Sequence, residues 1–131
     1  MLRAFGLPLG VAYQLRDDML GVFGDPEVTG KPAGDDLREG KRTVLIALAR
    51  TKLPTSVRRV LDELLGDEEL DAQQISMMQA AIRDSGAIDH VERIIDHNVA
   101  QAREALAQAP LTASARDQLM QLTDTVTKRT A

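Results

Sequence analysis

Glycine and proline are spread unevenly along this chain, and that unevenness limits the possible folds more than any other feature. Seven of the nine glycines and three of the five prolines lie between Gly6 and Gly40. Beyond Gly40 the sequence runs on Ala, Leu, Gln, Glu and Arg, all good helix formers, with single Pro or Gly residues as breaks. No stretch alternates cleanly between apolar and polar residues, and there is no internal repeat or low-complexity tract. The expected class is all-α, a helical bundle of five or six helices joined by short connections.

The breaks place those helices. The first is expected at about residues 9–23, with Pro8 near its start or kinking a helix that enters from upstream. Its buried face is expected to carry Leu15, Met19 and Val22 or Phe23. A polar, glycine-rich loop should follow over 24–40. Residues 43–52 read as a short apolar helix stopped by Pro54, and Thr55 or Ser56 can cap the next, which ends near Gly66. Asp71 and Gln74 have capping-box spacing for a helix to about Asp84. The longest helix spans 87–108, with Ile88, Val91, Ile95, Ala102 and Leu106 as its apolar stripe. Thr112 or Ser114 opens the last, with Leu119, Leu122 and Val126 on one face.

Composition removes several kinds of function. There is no cysteine, so disulfides, thiolate zinc sites and a Cys nucleophile are excluded. No Trp, one Tyr and two Phe make a poor platform for base stacking, and a net charge of −4 argues against nucleic acid as the main partner. No apolar run reaches the roughly 18 residues of a membrane span. No signal-peptide order is visible, so the expected location is cytoplasmic.

Chemistry concentrates in two neighbouring segments. On a helix, Gln14, Asp17, Asp18 and Gly21 fall at spacings that share a face. Two adjacent carboxylates on one face repel each other and favour a cation. Oxygen ligands suit Mg²⁺, which keeps water and takes phosphate oxygens to complete its shell. The following loop brings the opposite charge. Lys31 and Lys41 each follow a glycine, Arg42 adds donors, and the amino end of the next helix adds a favourable dipole. Either segment alone is more often a solvated surface. Together, and in this order, they make a diphosphate cradle.

These residues resemble the trans-type polyprenyl (isoprenyl) diphosphate synthases, including the actinobacterial geranylgeranyl diphosphate synthases. The family's second aspartate-rich motif is matched by Gly10-Val11-Ala12-Tyr13-Gln14-Leu15-Arg16-Asp17-Asp18, and its lysine-bearing continuation by Gly30-Lys31 through Lys41-Arg42-Thr43. The resemblance implies the carboxy-terminal part of the isoprenoid (trans-prenyl) synthase fold, with residues 1–131 as one helical segment. It implies prenyl transfer from an allylic prenyl diphosphate to isopentenyl diphosphate, with Mg²⁺ as cofactor. By the same resemblance Asp17 and Asp18 are metal ligands, and Gln14 faces the reacting carbons or the diphosphate. Lys31 and Lys41, with Arg42 beside them, neutralise the leaving diphosphate, and Asp36 orders the loop or a metal-bound water.

Three departures stand out. Tyr13 replaces the more usual Phe, and Gly21 replaces the motif's third Asp. The family's first aspartate-rich motif has no counterpart; Asp67-Glu68-Glu69-Leu70-Asp71 has a similar spacing but reads as a helix start. The chain alone is therefore expected to be inactive. It is expected to form a homo-oligomer or to associate with a chain that supplies the missing half. The alternative is a truncated, catalytically inactive homologue or a regulatory partner subunit.

Overall fold

The computed structural model describes residues 2–30 and 34–128. Among these residues all regular structure is helical, as expected. Eight helices follow in order: α1 (Leu2–Phe23), α2 (Pro26–Thr29), α3 (Asp35–Glu39), α4 (Val44–Lys52), α5 (Thr55–Leu64), α6 (Ala72–Asp84), α7 (Ala87–Gln108) and α8 (Ala113–Thr127). Six of these are the expected helices. The other two, α2 and α3, lie within what the glycine content marked as loop. No described helix is long and apolar enough to cross a membrane.

The described residues group into two compact units. One comprises residues 2–16 with 92–128, and the other residues 17–30 with 34–91.

In the first unit, the beginning of α1 packs with most of α7 and with α8. Ala12, Leu15, Ile95, Ala102 and Leu106 are buried, so the stripe predicted for α7 is largely the one used. Arg16 joins all three helices. Its guanidinium donates to both carboxylate oxygens of Glu92, at 2.6 and 2.9 Å, and through Nε to the Thr127 carbonyl at 2.8 Å. The end of α7 is capped by Arg116, which donates to the carbonyls of Leu106 at 3.1 Å and Ala109 at 3.0 Å. Helix α8 departs from expectation. Leu122 is exposed, whereas Thr123 and Thr127 are buried. Each hydroxyl donates to the carbonyl four residues earlier, at 2.8 and 2.6 Å, which makes a polar side chain acceptable inside.

In the second unit, Val22, Leu37, Leu45, Ile46, Leu61, Met78 and Ile82 form a close-packed apolar interior. Helix α6 closes the end of α1: Gln79 Nε2 donates to the Val22 carbonyl at 2.6 Å, and the Arg83 guanidinium lies 5.2 Å from the Phe23 ring centroid. Local signals explain most helix starts. Thr43 Oγ1 accepts from the Ile46 amide at 3.2 Å. Asp71 and Gln74 form both bonds of the capping box, so Asp71 is a cap, as its spacing suggested. Helix α5 differs. Neither Thr55 nor Ser56 caps it; Pro54 holds the N-cap position without a side-chain bond.

Helix α1 starts earlier than residue 9 and carries Pro8 within it, the second of the two arrangements considered. Its buried face carries the predicted Leu15 and Val22 but differs at Met19. Met19 and Phe23 are only half-buried, while Ala12, Leu15, Asp18 and Val22 turn inward. A carboxylate thus stands where the apolar pattern placed a methionine.

Candidate functional site

The acidic end of α1 and the α3 segment build the site from within the second unit. Asp17 is half-buried, and Asp18 is 5% exposed. Gln14 lies one turn earlier on α1 and is exposed; it belongs to the first unit.

Helix α3 presents Asp36. Its five residues are bounded by Gly34 and Gly40, both left-handed, with φ of 71° at each. At Gly40 the backbone turns so that its own amide and that of Lys41 both return to the Asp36 carbonyl. Gly40 also touches Gly66: a Cβ there would come within 2.9 Å of the Gly66 Cα. Side chains are therefore refused at Gly40 on two grounds, handedness and space. The Gly66 amide donates to the Leu37 carbonyl at 2.8 Å, and Leu37 is completely buried. These contacts hold α3 so that Asp36, 9% exposed, faces inward.

Burial pushes the Asp36 carboxyl above its ordinary value of 3.8, and Glu39, Asp18 and Asp17 push in the same direction. Lys41 opposes them; its Nζ lies 3.9 Å from Asp36 Oδ2. The two aspartates of α1 and the buried aspartate of α3 therefore share one electrostatic environment. Asp35, Asp36 and Glu39 also bring one carboxylate oxygen each within 4.8 Å of one another.

This shift has a testable sign. The native state holds the Asp36 proton more tightly than the unfolded chain does. The charged carboxylate therefore destabilises the fold above its native pKa, and that penalty disappears as pH falls below 3.8. Without divalent metal, Asp36→Asn is expected to melt at a higher temperature than the parent at neutral pH. The difference should close on titration below about pH 4. A difference that does not change with pH would exclude burial of charge as its cause.

Arg42 is exposed and acts on Asp62, whose main partner is Arg50 through a bond of 2.8 Å. Lys31 lies outside the described residues. The amino end of α4 directly follows Lys41 and Arg42, as anticipated. His97 is exposed, whereas His90 is half-buried with its Nδ1 lacking a hydrogen bond. An apolar cleft of about 330 Å³ lies between α5 and α6, lined by Val57, Val60, Leu61, Met77, Met78 and Ala81 beside Ser56. It holds no titratable group and is separate in character from the carboxylate cluster.

Two features of the site were not read in the sequence. One is the burial of Asp18. The other is the close approach of Asp36 to α1, for which a glycine at position 21 was the available signal.

An all-α chain with paired aspartates on one helix and an acid–lysine turn on the next segment has close structural relatives. A geranylgeranyl pyrophosphate synthase of Corynebacterium glutamicum, solved with isoprenyl diphosphate and magnesium, superposes with a TM-score of 0.91 at 39% identity. The match covers 96% of this chain and 36% of that one. The geranylfarnesyl diphosphate synthase of Aeropyrum pernix is 39% identical over 98% of this chain and 40% of its own. The geranylgeranyl diphosphate synthase of Mycobacterium tuberculosis is 31% identical over 82% and 31% respectively. The family model for polyprenyl synthetase matches residues 1–83, and the chain belongs to that family. It spans about two fifths or less of the length of these relatives.

Proposed function

We propose that this chain carries the diphosphate-binding wall of a trans-prenyltransferase, formed by the family's second aspartate-rich motif. The substrate held there is an allylic prenyl diphosphate, for condensation with isopentenyl diphosphate. The carrying observation is the shared electrostatic environment of Asp17, Asp18 and buried Asp36, with Lys41 at its edge. Clustered hard oxygen donors with surplus negative charge fit Mg²⁺. Asp17 and Asp18 would hold it, and when bound it supplies Lewis-acid stabilisation of the departing diphosphate.

The chain's own residues do the rest. Lys41 and Arg42, at the amino end of α4, offer positive charge and donors to diphosphate oxygens. We assign the same role to Lys31. Asp36 balances Lys41 and fixes the turn that carries it. Gln14 presents an amide dipole one turn before the aspartates. It can stabilise developing positive charge on the allylic carbons without attacking them. The relative solved with isoprenyl diphosphate and magnesium supports this ligand chemistry.

The test is binding. Calorimetry of the 131-residue chain with inorganic pyrophosphate is expected to show weak binding that requires Mg²⁺. Asp17→Asn with Asp18→Asn should weaken it by about tenfold or more, since two charged ligands are lost. Unchanged binding in the double variant would remove the assignment. With allylic and isopentenyl diphosphates plus Mg²⁺, the chain alone is expected to form no product.

A further inference from the structure

We infer that Gly21 is a positioning residue: its missing side chain seats the Asp36 carboxylate against α1, so that α3 supplies the acid the helix lacks at position 21. The metal role of that acid rests on the reading proposed above; the seat itself rests on geometry alone.

Gly21 follows Asp17 by four residues and Asp18 by three, so it continues their face of the helix. A Cβ built on Gly21 would stand 2.0 Å from Asp36 Oδ2, 2.3 Å from its Cγ and 2.8 Å from Oδ1. Ordinary carbon–oxygen contacts are far longer. The carboxylate therefore occupies the space into which any side chain at position 21 would project.

Helix α3 has little freedom to retreat. Leu37 is completely buried, its carbonyl is bonded to the Gly66 amide, and Gly40 is in backbone contact with Gly66. What can yield is the Asp36 side chain itself, by rotating out of its place. The motif resemblance makes the absence of an acid at position 21 look like a lost ligand. The geometry returns an acid to the same place from another element, and Gly21 is the residue that admits it.

Two measurements test this. The first is a melting cycle of Gly21→Ala, Asp36→Ala and the double variant. Alanine inside a helix is ordinarily better than glycine by about 1 kcal/mol. The seat predicts that Gly21→Ala fails to raise the melting temperature, or lowers it, when Asp36 is present, because the carboxylate must swing out of its place. In the Asp36→Ala background it should raise that temperature. Equal effects in both backgrounds would overturn the seat.

The second measurement is Mn²⁺ affinity with pyrophosphate present, read by electron paramagnetic resonance. Gly21→Ala and Asp36→Ala should each weaken it, by roughly tenfold for loss of a supporting carboxylate. Moving the acid back onto the helix, Gly21→Asp with Asp36→Ala, should restore the affinity to within about threefold, a residual of less than 1 kcal/mol. Intact wild-type binding without that rescue would overturn the positioning role. Wild-type binding that is absent, or indifferent to Asp17→Asn with Asp18→Asn, would overturn the diphosphate reading and the metal role with it. The melting cycle then still decides the seat.

Discussion

Leu37→Ala is expected to destabilise the protein by about 2–5 kcal/mol and to weaken Mg²⁺-dependent pyrophosphate binding at the same time. Leu37 is completely buried in a helix of only five residues, so it is the main apolar anchor of α3. A short helix gains little from its own hydrogen bonds and depends on such packing. For a domain of this size the loss corresponds to roughly 10 °C in melting temperature. The binding effect follows because Asp36 directly precedes Leu37 and keeps its orientation only while α3 is anchored. An Ile82→Ala variant is a control, because Ile82 is equally buried but lies on α6. It should cost similar stability while leaving pyrophosphate affinity nearly unchanged below its melting point. Equal loss of binding in both variants would mean that affinity tracks general stability rather than the placement of α3.

The second large effect is expected at Arg16. Arg16→Met keeps much of the side-chain length but removes three charge-assisted bonds, two to Glu92 and one to the Thr127 carbonyl. Such bonds contribute about 1.5–3 kcal/mol where they are shielded from water. The Arg16 side chain is 16% exposed and that of Glu92 is 37%, so the total is expected near 2–3 kcal/mol rather than a full sum. Hydrogen exchange should locate the damage. The amides in the last turn of α8 should exchange at least about tenfold faster, because the Thr127 tether is gone. Arg16→Lys should rescue little, since an ammonium cannot reproduce the planar two-pronged contact. A melting temperature within about 2 °C of the parent would show that the contact contributes no net stability.

The parts of this molecule that could be read from the sequence are those governed by neighbours along the chain. The capping box at Asp71 and Gln74 and the Thr43 and Thr112 caps depend on residues three positions apart. The end of α4 before Pro54 is equally local. So is the pairing of Asp17 with Asp18 on one helix. The misses lie where tertiary contact decides. Helix α3 is too short to show a period, and the glycines at its two ends resemble ordinary loop glycines. Thr123 and Thr127 take buried positions because their hydroxyls are satisfied within α8, which an apolar count cannot register. Asp18 is buried because α1 turns its 12–15–18–22 line inward rather than the line through Met19. The meeting of Gly21 with Asp36 joins residues far apart in sequence, and no spacing rule reaches that distance.

The bond from the Gly66 amide to the Leu37 carbonyl also closes the chain on itself. Helices α4 and α5 leave from this junction and return to it, so they form a covalently continuous excursion pinned at its neck. The entropy of holding such a neck changes only slowly with the length of chain it encloses. The turn between α4 and α5 can therefore change length with little effect on the acidic cluster, provided the pin and the buried Leu45, Ile46 and Leu61 keep their places. The pin itself has no such latitude. Bulk added at Gly40 would press into the Gly66 backbone where the two touch. It would open the excursion and release the Asp36 turn in one event.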